Sequence, residues 1–439
     1  MSVFPEYVTE ILDKLRNSGC QAYAVGGCVR DMIMGRVPHD YDITTNAVPE
    51  RIKQIFSNSR IVTAGEKHGT IGVVSGGHMT EITAYRIDGA YTDSRRPDSV
   101  IFSDNIEDDL KRRDFTMNAM AMDINGDIID IFGGKDDIKK GIIRAVGEPD
   151  KRIEEDALRI MRCVRFASEL GFMPEQKLCF SIEKNKELLK NISAERIREE
   201  FVKLLCGQYS TEVLRSYSSI IEVFIPEIRK MYGFEQLTKY HRYDVWEHTI
   251  HAVSGGDGDP LICTALFFHD IAKPNCRTID ADGTGHFKGH ADLSALKAAE
   301  IMKRLRFSSS QIKNAAALIG SHRYRLENDA EIKHIMGKIG AERFPMLIKL
   351  KKADDSAKGY YDEDSKRRLE AAAKRCAEII DNGECYRISD LEINGNDLMA
   401  LGVNGRRIRE ILEHLLSEVI EGKVKNNKKE LIKCAKSII

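Results

Sequence analysis

Apolar and polar positions change their period once along the 439-residue chain, near residue 150. Before that point, short alternating runs rich in β-branched residues are punctuated by glycines. They are AYAVGG (22–27), DYDIT (40–44), IGVVSG (71–76), MTEITAYR (79–86) and MAMDINGDIIDIFGG (120–134). Period-two alternation of this kind predicts strands with one face buried. After residue 150 the apolar residues recur at i, i+3 and i+4, as in IEEDALRIMRCVRFASEL (153–170) and SAERIREEFVKLL (193–205). Ser193 is placed to cap the second of these helices. The opening MSVFPEYVTEILDKL reads as an amphipathic helix. The expected fold class is therefore α+β: a sheet-containing head and then an all-helical body.

Composition narrows this little but usefully. The length exceeds one compact core and predicts two to four domains. Hydrophobic residues make up 42% and charged residues 31%, the balance of a globular, charge-rich chain. No apolar run approaches the roughly 20 residues of a membrane span, and the first residues lack a basic-then-apolar signal pattern. A cytoplasmic protein with no membrane partner is the expectation. Ten cysteines are scattered without a C-x-x-C pair, so they predict buried small hydrophobes rather than disulfides or a cysteine zinc site. The net charge of −1 does not exclude a nucleic-acid partner, because a local patch matters more than the sum. Residues 402–439 hold nine Lys/Arg against five Glu, a basic end.

Candidate chemistry begins at GRVPHDYDITT (35–45). If DYDIT is a strand, Asp40 and Asp42 share a face roughly 7 Å apart along the chain, which is unfavourable unless a cation sits between them. A lone D-x-D is as readily a solvated turn. Here Gly26 and Gly27 end the preceding strand and let backbone N–H groups approach an anion, and Arg30 follows at the opening of a helix. Two carboxylates on one face can hold Mg²⁺ together with substrate phosphates. Glu81 in MTEITAYR is the candidate third carboxylate, although it could equally be an exposed strand acid. Arg86 could salt-bridge at the surface or face substrate.

AVGGCVRDMIMGRVPHDYDITTNAVPE (24–50) resembles the head of bacterial class II tRNA nucleotidyltransferases and their poly(A) polymerase relatives, of the polymerase-beta-like nucleotidyltransferase superfamily. DLKRRDFTMNAMAMD (109–123) resembles the R-R-D-x-x-x-N-A segment of the same family. The resemblance implies that Arg113 contacts nucleotide phosphate, and that Asp114 and Asn118 lie near the sugar or shape the site. Taken alone, Arg112, Arg113 and Asp114 would be a surface ion-pair cluster.

In EEDALRIMRCVRF (154–166), Arg159, Arg162 and Arg165 follow Asp156 at i+3, i+6 and i+9, a slanted stripe on one helix. That stripe could be an intrahelical ion-pair ladder or the lining of a cleft. An Asp accepts and an Arg donates, so together they can match a base edge that carries an exocyclic amine, as C and A do. The run resembles the family's E-D-x-x-R-x-x-R motif. The resemblance implies that Asp156 and Arg159 pair with the base of CTP or ATP and that Arg162 and Arg165 support the nucleotide. YRIDGAYTDSRRPDSVIF (85–102) resembles the family's flexible loop for A addition, which argues against a CC-only enzyme and does not separate CCA addition from A-only addition. SAERIREEFVKLL matches a supporting segment of the neck and is assigned structure rather than chemistry.

The middle of the chain carries histidines in unusual company. An adjacent His269-Asp270 after ALFF needs a cation or strong donors if it is buried. Imidazole with carboxylate suits a divalent transition metal. The segment resembles HD phosphohydrolase domains. The resemblance implies His248, His269, Asp270 and Asp354 as metal ligands, with His290 and His322 completing a two-metal version. The final helices resemble the RNA-contacting tail of HD-containing family members, with Arg406, Arg407 and Arg409 as phosphate contacts; each could equally belong to a solvated basic helix. The expected organisation is a catalytic head at 1–145, a helical neck at 146–225, an HD domain at 226–365 and a tRNA-binding tail at 366–439. The expected partners are tRNA, CTP and ATP. The expected activity is CCA addition with Mg²⁺. A-only addition or poly(A) synthesis on the same fold, and metal-dependent phosphohydrolysis at the histidines, are the alternatives.

Overall fold

The computed structural model describes residues 3–89, 100–359 and 363–439. Two compact units divide the chain: Met1–Leu204 with Tyr217–Phe224, and Leu205–Ser216 with Ile225–Ile439.

The first unit begins with α1 (Glu6–Asn17), whose Val8, Ile11, Leu12 and Leu15 are buried at helical spacing, with Glu6 in its first turn and Lys14 and Arg16 in its last. There follow β1 (Ala22–Val25), α2 (Gly27–Ile33), β2 (Asp42–Thr45), α3 (Pro49–Ile55), β3 (Arg60–Val62), β4 (Thr70–Ser75) and β5 (His78–Ala84). Beyond them come β6 (Arg86–Asp88), β7 (Val100–Phe102), α4 (Ile106–Lys111), β8 (Ala121–Met122) and β9 (Ile128–Ile129). Seven of these strands form one sheet in the order β3-β4-β5-β2-β1-β8-β9. The β2–β5 pair is parallel and every other pair is antiparallel. The expected mixed head is thus present.

One sheet face packs on α1 and α3: Ala24, Ile43, Ile71, Val73 and Ile82 meet Val8, Leu12, Ile52 and Phe56. On the other face Val25 and Ala121 meet Leu110 of α4 in a smaller cluster. Strand alternation therefore commits Asp42 and Glu81 to the face opposite Ile43 and Ile82. There follow α5 (Gly134–Lys140), α6 (Pro149–Glu155), α7 (Leu158–Leu170), α8 (Gln176–Asn185) and α9 (Ala194–Leu205).

The second unit is mostly helical, apart from a two-stranded pair at Thr278–Ile279 and Gly285–His286. Helix Pro260–Phe268 has Ile262 to Phe268 buried without interruption, so it is a core helix rather than an amphipathic one. Asp259 caps it, accepting from the N–H groups of Leu261 and Ile262, and it delivers His269 and Asp270 into the interior. Near the C-terminal end, Leu398, Ile411, Leu415 and Leu431 form a small separate core. Among the described residues no helix is long and apolar enough to cross a membrane.

Candidate functional site

β2 and β5 set Ile43 opposite Ile82, so the preceding residues, Asp42 and Glu81, are neighbours on the same face. On its other side Asp42 is in register with Val25, the last residue of β1. The strand begins at Asp42 and does not extend over DYDIT as expected; Asp40 lies just ahead of it. The alternation nevertheless continues, with buried Tyr41 between exposed Asp40 and Asp42. Although solvent reaches Asp42, surrounding protein raises its pKa to about 6. Burial is the largest cause; Arg113 opposes it, and the carboxylates of Asp40 and Glu81 reinforce it. The three acids therefore share one neighbourhood that is short of positive charge. A hard divalent cation would meet that demand with oxygen ligands.

Arg113 is brought to this neighbourhood by two contacts. Buried Asp109 accepts from its Nη2 at 3.1 Å. Gly26, at φ 83°, has no side chain to obstruct it: a Cβ there would stand 2.9 Å from Arg113 Nη1. α2 then starts at Gly27 and carries Arg30, which is buried and donates from Nη1 to Asn118 Oδ1 at 2.9 Å. Asn118 Nδ2 donates to Asp114 Oδ1 at 3.2 Å, and Arg162 Nε donates to Asp114 Oδ2 at 2.7 Å. A polar chain thus runs from α2 to α7. Burial alone would raise the Asp114 pKa, but Arg162, Asn118 and Arg159 hold it at about 2. The Phe166 ring sits beneath three of these cations, with the guanidinium carbons of Arg30, Arg162 and Arg165 at 5.0, 5.4 and 3.8 Å from its centroid.

The expected single helix through Asp156 is not formed. α6 ends at Glu155, Asp156 takes an extended backbone (φ −146°, ψ 101°), and α7 starts at Leu158. Asp156 Oδ1 accepts from the Leu158 N–H at 3.1 Å, capping α7 instead of laddering to its arginines. The Asp156 carboxylate is held by Arg196 of α9, with Nη1 to Oδ1 at 3.2 Å and Nη2 to Oδ2 at 2.7 Å. Arg159 is buried and donates to Glu155 and to the carbonyls of Arg152 and Arg112. Arg165 joins Glu169 and Glu200. Arg196 and Glu200 lie in the segment expected to be structural. Their regular apolar neighbours Ile197 and Phe201 concealed them; the visible signal was an arginine in the first turn of a helix, where the dipole disfavours it.

In the second unit, His248, His269 and Asp354 form one buried triad, and Asp270, His290 and His322 form another. Within each triad all ligand atoms lie within 4.8 Å of one another. Among the described residues these are the sets drawn that tightly; the head acids are spread more widely. Asp270 joins the triads, standing 3.1 Å from His269 Nε2 and 3.3 Å from His290 Nε2. The Nδ1 atoms of His269, His290 and His322 each donate at 2.6 Å to the carbonyl three residues earlier, which turns every Nε2 inward. Burial disfavours charge on His269, but Asp270 and Asp354 raise its pKa to about 10. Lys273 Nζ stands 2.6 Å from Asp270, and the donor set of imidazole and carboxylate fits a divalent transition metal. A cavity of about 850 Å³ opens onto His290 and is lined by Lys239, Lys273, Lys288, Arg323 and Arg325 against the acids Asp292 and Glu331. That balance favours an anionic ligand.

Toward the C-terminal end, Arg406, Arg407 and Arg409 begin helix Arg406–Ile420. Arg407 donates to the carbonyls of Ile438 and Ile439, and Arg409 pairs with Glu413. Most of the loop expected over 85–102, residues 90–99, lies outside the described residues.

Three families match separate stretches: the poly A polymerase head domain at 22–144, an RNA and SrmB-binding site of polymerase A at 171–231, and tRNA nucleotidyltransferase domain 2 at 287–435. The CCA-adding enzyme of Lactobacillus helveticus is 52% identical over 207 residues, 47% of this chain and 51% of that protein. The chain thus spans about half the length of such Lactobacillus relatives. The CCA-adding enzyme of Enterococcus faecalis is 32% identical over 429 residues, 97% of this chain and 94% of that enzyme. The crystal structure of the Bacillus stearothermophilus CCA-adding enzyme in complex with CTP superposes with a TM-score of 0.71 at 28% identity, covering 99% of this chain and 97% of that one. The match runs along nearly the whole length, in sequence with the Enterococcus enzyme and in fold with the Bacillus one, and the chain belongs to the CCA-adding enzyme family.

Proposed function

We propose that this chain adds C, C and A to the 3′ end of tRNA from CTP and ATP. The 3′-hydroxyl oxygen attacks the α-phosphorus, a new P–O bond forms, the α–β anhydride bond breaks, and pyrophosphate leaves. The observation that carries this reading is the gathering of Asp40, Asp42 and Glu81 about a carboxyl whose pKa is pushed to about 6. These acids would hold Mg²⁺, which supplies charge neutralisation for the phosphates and aligns the reacting oxygens. The protein's part is positioning. Gly26 and Gly27 let the backbone approach the triphosphate, Arg30 and Arg113 face it, and Asn118 and Asp114 fix Arg30 and Arg162. Asp156 and Arg159 would read the base. Arg406, Arg407 and Arg409 would contact tRNA phosphates.

The test is product analysis with tRNA ending before the first C, before the second C and before the A. One nucleotide of the correct kind added at each stage supports CCA addition. An A on the last substrate alone indicates an A-adding enzyme, and a long A tract indicates a poly(A) polymerase. No addition by the wild type, or turnover retained by Asp40→Ala or Asp42→Ala, overturns the reading.

A second reading is favoured by the paired triads around Asp270. With metal bound, they would make this part of the chain a phosphohydrolase, with the cationic cavity holding a phosphoester. Removing transition metal while keeping Mg²⁺ should stop hydrolysis and leave nucleotide addition intact.

A further inference from the structure

Phe166 of α7 is buried, and it collects cations from two elements. The guanidinium carbon of Arg30, on α2, lies 5.0 Å from the ring centroid. Arg165 and Arg162, on α7 itself, stand at 3.8 and 5.4 Å. Phe115, also buried, meets the ring edge to face at 5.9 Å and 88°. The face of an aromatic ring carries partial negative charge and attracts cations, more strongly where water is excluded.

The three arginines differ in what else holds them. Arg165 is paired with Glu169 and Glu200, and Arg162 with Asp114. Arg30 has the adjacent Asp31, to which Nε and Nη2 donate at 2.9 and 2.7 Å, and Asn118, to which Nη1 donates at 2.9 Å. A guanidinium has five N–H groups, so these contacts leave Arg30 two. Its Nη2 stands beside the glycine pair: a Cβ on Gly27 would lie 3.7 Å from it, as one on Gly26 would lie 2.9 Å from Arg113 Nη1. Arg30 and Arg113 therefore meet at the Gly26-Gly27 turn. An aliphatic side chain in place of Phe166 would supply packing beneath Arg30 without the attraction.

We infer that Phe166 is a positioning residue for the triphosphate: its ring face holds the Arg30 guanidinium at the Gly26-Gly27 turn, so that the two N–H groups left to Arg30 meet a phosphate. The inference rests on the reading that Arg30 faces the triphosphate. It assigns the ring to the phosphate end of the nucleotide, so CTP and ATP depend on it equally. Without the charged face, Arg30 keeps Asp31 and Asn118 but loses the surface that orients it toward the turn.

The test uses the full chain, with tRNA ending before the first C and tRNA ending before the A. Phenylalanines bearing one, two and three ring fluorines replace Phe166. Fluorine draws negative charge off the face while the ring keeps nearly its size. KM for CTP and for ATP should rise stepwise and alike, to roughly fivefold to tenfold with three fluorines, the scale of one cation–π contact shielded from water. kcat should move less, because Arg30 meets phosphate before and during the reaction alike. The CTP:UTP ratio of kcat/KM should keep its wild-type value. Phe166→Leu should match the three-fluorine enzyme, and the fluorinated series carries the test if that variant does not fold. A ring that only fills the core would leave KM flat along the series. Flat KM, alongside a raised KM in Arg30→Ala, overturns the role of Phe166 and leaves the phosphate reading of Arg30 standing. An unchanged KM in Arg30→Ala overturns both. A KM that rises while the CTP:UTP ratio falls moves the effect to the base end, through Arg162, and overturns the inference as well.

Discussion

The Nε2 atoms of His248 and His269 face each other at 3.2 Å. Each ring has its Nδ1 on a backbone carbonyl, that of Ala357 for His248 and of Leu266 for His269. His290 and His322 repeat the arrangement, with Nε2 atoms 3.3 Å apart. Two ring nitrogens with inward lone pairs at that distance repel unless a proton or a metal ion lies between them.

Metal content follows from this geometry. Two triads joined by Asp270 should take up about two divalent transition ions per chain. His290→Ala removes a ligand from one triad and should lower the content to about one ion per chain. Asp270→Asn should weaken both sites. Elemental analysis after dialysis against Mn²⁺ or Zn²⁺ measures this, and a metal content unchanged in His290→Ala would show that the triads do not act as two sites.

Acid stability should report on Asp114. Its folded pKa of about 2 lies below the ordinary 3.8. A lowered carboxylate pKa contributes stability that is fully present above the unfolded value and is lost as pH falls through 3.8 toward 2. The carboxylate is buried, so the full contribution is roughly 2 kcal/mol. Asp114→Asn should therefore lower unfolding free energy at pH 7 by about that amount and flatten the dependence between pH 5 and roughly pH 2. Urea titrations across that range measure both effects.

How much of this was legible in the sequence depended on the kind of signal. The alternation in IGVVSG and MTEITAYR marked β4 and β5, and the change of period marked the helical body. β3 (Arg60–Val62) was missed because three residues at a sheet edge carry too little alternation. The break at Asp156 was also missed. EEDALR contains no Gly or Pro, and Glu, Ala, Leu and Arg all form helices well, so a single Asp among them did not mark the break. A partner forty positions away in the chain, Arg196, holds the residue out of the helix. The His269-Asp270 adjacency was readable, but its cation was not: Lys273 Nζ lies 2.6 Å from Asp270 and donates to Gln236 at 2.7 Å, a contact across 37 positions.

Gly26→Ala should separate backbone strain from folding. The backbone takes φ 83° and ψ −130°, and the new methyl would stand 2.9 Å from Arg113 Nη1. The positive φ alone should lower stability by roughly 1–3 kcal/mol. The methyl would also displace the end of Arg113, whose charge opposes the Asp42 shift. Addition with CTP and with ATP should fall together, because the affected contact is with phosphate rather than base. A variant that loses stability but adds nucleotides at the wild-type rate would remove Gly26 from the phosphate site.

The pH dependence of Mg²⁺ binding tests the head site most directly. Asp42 has its pKa raised from 3.8 to about 6, chiefly by burial. A raised carboxylate pKa favours the folded state when protonated. Without metal, that margin is present below 3.8 and is lost as pH rises through about 6. Mg²⁺ reverses the trend, because it binds the ionised form and supplies the missing positive charge. Added Mg²⁺ should raise Tm clearly at pH 7.5 and hardly at pH 5. The apparent affinity should weaken by up to about tenfold per pH unit below 6, with release of roughly one proton per ion bound. Asp42→Asn should abolish the Mg²⁺ effect on Tm at every pH. It should also be slightly more stable than the wild type at neutral pH without metal, since it removes the repulsion from Asp40 and Glu81. A Tm increment from Mg²⁺ that is the same at pH 5 and pH 7.5, or that survives Asp42→Asn, would place the ion elsewhere.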